Sequence, residues 1–239
     1  MDIMASRNTI NRLLKDIREV IKDDTLHTSG IFYEHDMENY MNGHAMIIGP
    51  SKTPYEYGLF FFHFLYPEDY PYSPPKVKFL TRSSKCRVRI NPNLYSDGKV
   101  CLSLLNTWNG EPWSACQSIR SVLLTLITVL NEKPLMNEPG ISEQNPDHIA
   151  YNRIVKYTSL YDCCLHMRTR SLTDCERLFE ERIKAHVKEN GEKAEKAIKE
   201  MRDEATTSKY FNDATQTETL TTRCYGMRVE IPWSKIKLE

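Results

Sequence analysis

The first part of the chain carries apolar residues at helical spacing. Within residues 6–22 they recur every three or four positions, while most of the basic residues fall elsewhere on the helical wheel. The apolar positions are Ile10, Leu13, Leu14, Ile17 and Ile21. This pattern predicts an amphipathic first helix with a basic outer side, and a charged outer side is by itself typical of a solvated face.

The pattern changes to strands and turns over residues 30–81. Short apolar runs over 45–48, 59–66 and 76–81 are joined by links rich in proline and glycine, which predicts an antiparallel meander. Alternate residues of the second run are apolar on both faces, so we expect both faces to be covered. His63 lies within this run and is interpreted as a buried histidine with a hydrogen-bond partner, rather than a ligand or a base.

A long irregular region, about 83–117, precedes the most apolar helical stretch of the chain. Irregular segments of this length inside a compact domain are usually functional. Ser118 is placed to cap a helix over 122–130 that is apolar enough to lie in the core. Pro134 and Pro139 favour an extended link, and a further helix is predicted over about 147–167. Together the sheet and helices predict an α+β domain.

Charge density rises after about residue 173. Thr173 and Glu176 form a capping-box pattern, and exposed helices are predicted to about residue 204, with an interruption at Asn190-Gly191. A polar linker over 205–222 leads to a more apolar end, which is compatible with a short strand or a docked tail. We therefore expect a domain over residues 1–168 and a charged, mainly helical extension over 169–239.

Charge and cysteine content narrow the possible functions. The 239 residues include 32 Lys and Arg and 32 Asp and Glu, so the formal net charge is zero, which excludes nucleic-acid binding by bulk charge alone. Seven cysteines cannot all pair within one chain, which favours a reducing compartment, cytoplasmic or nuclear. The start lacks a secretory-signal pattern, and the apolar run over 122–130 is about half the roughly 20 residues that cross a bilayer. We expect no membrane association.

One segment carries a recognisable motif. Residues 91–105 read Asn-Pro-Asn-Leu-Tyr-Ser-Asp-Gly-Lys-Val-Cys-Leu-Ser-Leu-Leu. The segment resembles the active-site stretch of ubiquitin-conjugating enzymes, in which a His-Pro-Asn tripeptide precedes the catalytic cysteine at the spacing that separates Asn93 from Cys101. Residues 48–60 and 66–79 resemble two further motifs of the family, in the same order.

Shorter stretches make the chain most similar to the Use1-type branch, called Z in the mammalian lettering. The shared features are Asn-Pro-Asn in place of His-Pro-Asn, a longer loop over 107–114, the sequence Asn137-Glu-Pro-Gly and an extension after the catalytic domain. The resemblance implies the ubiquitin-conjugating (UBC) fold, which has an N-terminal helix, a four-stranded antiparallel meander, a central helix and C-terminal helices. The histidine that Asn91 replaces is mainly structural in the family, so we expect altered loop packing and retained activity.

The resemblance also implies the chemistry of three residues. Cys101 is the nucleophile that holds the C-terminus of ubiquitin as a thioester, and Lys99 lies near enough in sequence to favour its thiolate. Asn93 stabilises the oxyanion that forms when a lysine attacks, or it supports the loop through its own hydrogen bonds. Glu138 is the carboxylate of the gating loop that helps to keep the lysine neutral, or a solvated loop residue. The cysteines expected to be small buried apolar residues are Cys86, Cys116 and Cys224.

Partner contacts follow from the same resemblance. Tyr72 with Ser114 and Ala115 matches the loops that meet RING or HECT ligases, although the family's Ser-Pro-Ala sequence lacks its proline here. The basic face of the first helix resembles the surface that meets the activating enzyme, which uses the ATP. Its residues are Arg7, Arg12 and Lys15. No permanently bound cofactor or metal is implied.

Other functions are compatible with parts of the sequence. Cys163, Cys164, His166 and Cys175 cluster as in a zinc module, but no C-x-x-C pair is present. A cysteine protease needs a histidine beside Cys101, and no histidine lies in a recognisable partner motif. The strongest alternative is a catalytically inactive UBC-fold module that binds ubiquitin or a ligase, because the fold also serves as a binding domain.

Overall fold

The N-terminal part of the chain forms two helices and a four-stranded sheet in the computed structural model, which describes residues 7–81, 88–236 and 238. The elements are α1 (Arg7–Ile21), α2 (Asp24–Thr28), β1 (Ile31–His35), β2 (Asn42–Ile48), β3 (Leu59–Leu65) and β4 (Lys76–Phe79). Each strand pairs antiparallel with the next one along the chain, in the order β1-β2-β3-β4. The predicted meander is therefore confirmed.

Helix α1 buries a slightly different face from the predicted one. Leu13 and Ile17 are buried as expected, but Val20 is buried and Ile21 is 47% exposed. The buried face also includes Asp16, whose carboxylate accepts hydrogen bonds from the guanidinium of Arg12 and the hydroxyl of Tyr70. These charge-assisted bonds compensate the desolvation of the carboxylate.

Both faces of β3 are covered by apolar side chains, as predicted. Phe60, Phe62 and Phe64 lie in the main hydrophobic cluster, while Leu59 and Phe61 face a second cluster on the other side of the sheet. The second cluster is completed by residues of the C-terminal part of the chain. These are Met167, Phe179, Ile183 and Val187.

His63 is half-buried and has a polar partner. Its Nε2 lies 3.0 Å from Oδ1 of Asn42, and its ring stacks on that of His44 with 4.9 Å between centroids. A polar partner was expected, but the side chain is less buried than predicted, because it lies on the same face of β3 as Leu65, beyond the second cluster.

Two further helices complete the domain that carries the motif. They are α3 (Ile119–Val129) and α4 (Asp147–Tyr157). The apolar helix α3 lies in the core, and Ser121 Oγ accepts the N–H of Ser118 at its N-terminus. Helix α4 ends ten residues before the predicted end near Met167. The chain continues in a π-helical turn. The next residue, Cys163, accepts through its carbonyl the N–H of Leu59 at the start of β3.

The C-terminal part contains a long helix without the predicted interruption. The helices are α5 (Asp174–Arg177) and α6 (Glu180–Thr206). The predicted capping box of Thr173 and Glu176 is confirmed at the start of α5. Gly191 is buried inside α6, and a Cβ there would lie 2.0 Å from Nη2 of Arg168. The glycine therefore makes room for a guanidinium from another element and does not break the helix.

Beyond α6 the extension forms a small antiparallel sheet, in which two strands lie within the predicted polar linker and the third lies in the segment compatible with a short strand. Its strands are β5 (Phe211–Asn212), β6 (Thr217–Thr221) and β7 (Arg228–Pro232), in the order β5-β6-β7. Leu220, Val229 and Ile231 alternate with exposed residues and enter the main hydrophobic cluster, as does Trp233. The boundary at residue 168 remains a prediction, and the residues on its two sides share one core in this structure.

Candidate active site

Asn93 and Cys101 are joined by two hydrogen bonds in a tight loop. The N–H of Cys101 donates to the carbonyl of Asn93 at 2.8 Å, and the side-chain amide of Asn93 donates to the carbonyl of Cys101 at 2.8 Å. The loop between them turns at Gly98, which has a φ of +95° and whose Cβ would lie 2.8 Å from the carbonyl oxygen of Phe79. The turn needs a glycine for both reasons, and it brings the two motif residues together.

Asn91 is a buried support for this loop. Its Nδ2 donates to Tyr55 Oη at 2.8 Å and to the carbonyl of Val129 at 2.7 Å, and its Oδ1 accepts the N–H of Asn93 at 2.8 Å. Tyr55 in turn donates to the carbonyl of Ile90 at 2.7 Å, and burial raises the pKa of this tyrosine. The amide therefore fastens the loop of Asn93 and Cys101 to the end of α3.

The loop that carries Glu138 is fastened to the same point. Val129 ends α3, so its carbonyl has no partner within the helix. This carbonyl accepts a hydrogen bond from Nδ2 of Asn137 at 3.0 Å, in addition to the one from Asn91. Oδ1 of Asn137 in turn accepts from Nδ2 of Asn131 at 2.8 Å. These bonds place Glu138, the next residue, at the cleft that Cys101 lines.

The thiol of Cys101 is less accessible than its proposed role requires. The residue is 3% exposed, and its S–H donates to the carbonyl of Thr107 at 3.1 Å. Thr107 begins the longer loop and is held there because its Oγ1 accepts the N–H of Leu102 at 2.9 Å. Lys99 is exposed, with its ammonium over the Tyr95 ring at 5.4 Å from the centroid. The cleft is lined by Arg89, Pro92, Asn93, Tyr95, Cys101, Trp108, Asn137, Glu138 and Pro139.

The other described cysteines differ from Cys101 in their surroundings. Cys163 and Cys164 are buried, and burial raises the pKa of both thiols, that of Cys164 to about 12. Cys116 is exposed, which contradicts its prediction as a buried apolar residue, because it lies in the surface loop before α3. Cys224 is half-buried, and Cys86 lies outside the described residues. Within the described ranges, no three His, Cys, Asp or Glu side chains are arranged to hold a metal ion.

Glu138 has a partner that the sequence did not predict. The hydroxyl of Tyr225, from the extension, donates to Oε2 of Glu138. Burial raises the pKa of Tyr225, and the hydrogen bond to Glu138 raises it further. The guanidinium of Arg89 lies between two rings, 3.5 Å from the centroid of Tyr95 and 4.1 Å from that of Tyr225. The local signal at this position is Gly226, since glycine favours turns, and it does not indicate a contact with Glu138.

The predicted partner-binding residues lie on connected loops. Tyr72 is 79% exposed, and the Trp113 indole N–H donates to the carbonyl of Pro71 at 2.7 Å, which ties its loop to that of Ser114. Ser114 is exposed and Ala115 is half-buried. On α1, Arg7 and Lys15 are exposed.

Arg12 has a structural role that the helical pattern did not predict. Its guanidinium donates to the carbonyls of Ala115 at 2.8 Å and Gln117 at 2.6 Å, and to Asp16 at 2.9 Å. It thereby joins α1 to the loop of Ser114 and Ala115.

Helix length and composition bear on the membrane question. Within the described part of the chain, no helix is both long enough and apolar enough to cross a membrane.

Known proteins resemble the part of the chain that contains this site. The chain is 42% identical to ubiquitin-conjugating enzyme E2 Z of Danio rerio over 158 residues, which are 65% of this chain and 47% of that protein. It is 42% identical to ubiquitin-conjugating enzyme E2 Z of Homo sapiens over 151 residues, 62% of this chain and 42% of that protein. The chain therefore spans about half the length of the curated relatives it matches.

A shorter match is to a small part of a much larger protein. The dual E2 ubiquitin-conjugating enzyme/E3 ubiquitin-protein ligase BIRC6 of Homo sapiens is 45% identical over 120 residues, 47% of this chain and 2% of that protein. The family model for ubiquitin-conjugating enzymes matches residues 12–158, which include Asn93, Cys101 and Glu138. With its α+β architecture and its similarity to the Z branch, the chain belongs to the ubiquitin-conjugating enzyme family.

Proposed function

We propose that this protein accepts ubiquitin, or a ubiquitin-like modifier, from an activating enzyme as a thioester on Cys101 and passes it to a substrate lysine, usually with a ligase. The observation that carries the proposal is the free thiol of Cys101 in a cleft wall, joined by two hydrogen bonds to Asn93. Both residues belong to the motif of the family. A catalytically inactive UBC-fold module would not need the cysteine.

Loading is an exchange between two thioesters. The Cys101 thiol first releases its proton to solvent. The thiolate then attacks the carbonyl carbon that joins the modifier to the activating enzyme, a C–S bond to Cys101 forms, and the C–S bond to the activating enzyme breaks, so that its sulfur leaves as a thiolate. The hydrogen bond from the Cys101 thiol to the carbonyl of Thr107 must break first, since the proton on sulfur has to leave before the attack. No bound cofactor takes part in this exchange, and ATP is used by the activating enzyme in the preceding step.

Transfer is the attack of a neutral lysine on the Cys101 thioester. Negative charge develops on the carbonyl oxygen, and Asn93 can donate its second amide N–H to it while the first holds the carbonyl of Cys101. Glu138 faces the same cleft and accepts the proton that the lysine nitrogen releases. The amide C–N bond forms, and the Cys101 thiolate leaves.

A loading assay tests the proposal. The protein, an activating enzyme, ATP and ubiquitin are incubated and separated on a non-reducing gel. We expect an adduct that reductant removes, that Cys101→Ala abolishes, and that the control Cys116→Ala retains, because Cys116 is the exposed cysteine of the described chain outside the cleft. Each ubiquitin-like modifier is then tested with its own activating enzyme. An adduct with none of them contradicts the proposal, and ubiquitin binding without an adduct indicates the inactive module.

The partners belong to the same proposal. Exposed Arg7 and Lys15 face the activating enzyme, and Tyr72 with Ser114 and Ala115 faces a RING or HECT ligase. The proposed reaction needs a reduced thiol, which supports a proposed location in the cytoplasm or the nucleus, where thiols stay reduced.

A further inference from the structure

The C-terminal extension contacts two residues of the cleft lining through Tyr225. Its hydroxyl donates to Glu138, and its ring covers the guanidinium of Arg89, which lines the cleft. Glu138 and Tyr225 are 87 residues apart in the chain. The Glu138 carboxylate therefore has a hydrogen-bond donor that comes from outside the domain.

The turn that carries Tyr225 is held at both ends. The N–H of Cys224 donates to Oδ2 of buried Asp147 at 2.7 Å, at the start of α4, and the N–H of Thr222 donates to the carbonyl of Met227 at 3.0 Å. The first bond fixes the turn on the domain independently of Glu138, and the second closes the turn on itself.

The backbone of this turn is strained. Tyr225 has a φ of +63°, in the left-handed region that residues with a side chain rarely adopt, and Gly226 follows with +56°. A tyrosine persists in this conformation only where its surroundings over-determine it, and such residues cluster at functional sites. Here the left-handed backbone presents the ring to Arg89 and the hydroxyl to Glu138.

We infer that Tyr225 is a positioning residue for transfer, which orients the Glu138 carboxylate toward the lysine that attacks the Cys101 thioester. The inference rests on the proposed function. The hydroxyl of Tyr225 donates to Oε2, which leaves Oε1 without this bond, and we assign the proton of the lysine to Oε1. A hydrogen bond to one oxygen restricts the rotation of the carboxylate. Proton transfer from the lysine is then faster, because the base is held in the reactive geometry. The extension thereby completes the gate.

The Tyr225→Phe variant tests the hydroxyl while it keeps the ring over Arg89. Cys101 is first loaded with the modifier, and discharge to free lysine is then measured in a single turnover at several lysine concentrations. We expect normal loading and a maximal discharge rate about tenfold lower, with an unchanged half-saturating lysine concentration. Tyr210→Phe, in an exposed tyrosine of the same extension, should leave both steps unchanged.

A second background separates positioning from packing. In Glu138→Gln the base is absent, so adding Tyr225→Phe should change discharge by less than about twofold. The inference is wrong if Tyr225→Phe discharges at the wild-type rate or faster, or if it slows discharge equally in both backgrounds. Failure of the wild-type protein to load overturns the proposed function and the inference with it, whereas normal loading with unchanged discharge overturns only the role of Tyr225.

Discussion

The two asparagines of the Asn91-Pro-Asn93 tripeptide have different surroundings and different roles. Asn91 is completely buried and donates to Tyr55 and Val129, so it holds the loop in place. Asn93 is half-buried beside Cys101, and its Oδ1 has no hydrogen-bond partner among the described residues. The two interpretations of Asn93, oxyanion donor and loop support, are compatible, because one amide nitrogen carries two N–H groups.

Asn93→Ala distinguishes the two duties of this residue. We expect discharge of the thioester to lysine to fall by ~10²–10³, the usual effect of removing one oxyanion donor, while thioester formation is retained. Both steps are followed on gels, with Asn109→Ala in the exposed loop as the control. An equal loss in loading and discharge means that Asn93 acts only through the loop.

Among the elements, α6 shows most clearly how tertiary contacts override a local pattern. The Asn-Gly pair at residues 190 and 191 favours a break, yet the helix runs from Glu180 to Thr206. The neighbouring Arg168 fills the space that a side chain at 191 would occupy and pairs with Glu195, which is 6% exposed. Helix propensity and packing therefore make opposite predictions for a substitution here.

Gly191→Ala decides between these predictions. Propensity alone favours alanine by about 1 kcal/mol, but the new Cβ displaces Arg168 and leaves buried Glu195 with a weaker partner. We expect a net decrease of about 1–3 kcal/mol in the free energy of unfolding, measured by urea denaturation. Glu192→Ala, at an exposed position of the same helix, should change it by less than about 0.5 kcal/mol. A more stable Gly191→Ala protein contradicts the packing argument.

On the scale of the whole molecule, one arginine joins the domain to the extension. Arg153 on α4 donates to Glu218 on β6 at 2.7 Å, to Glu204 at 2.9 Å and to the carbonyl of Met201 at 2.5 Å. The side chain of Glu218 is 1% exposed, so its charge depends on Arg153 for compensation. Trp233 adds an edge-on contact with Tyr157 on the same helix, with 5.9 Å between ring centroids.

Arg153→Ala should destabilise the whole protein. Removing one partner of a buried ion pair leaves the other charge uncompensated, which costs about 3–5 kcal/mol. Arg228→Ala is the control, since its pair with Glu230 is exposed on both sides and contributes at most about 1 kcal/mol. Chemical denaturation of the two variants measures the difference. Equal effects would mean that the contact between the domain and the extension contributes little to stability.

The sequence by itself determined the meander and the apolar central helix, because each depends on local periodicity, and it placed Asn93 and Cys101 in one short motif. It did not determine the small sheet of the extension, whose strands have few apolar residues and form by packing on the domain. Nor did it determine the cover over Cys101 or the contact of Tyr225 with Glu138. Both depend on where distant segments meet, and only the free energy of the packed core decides that position.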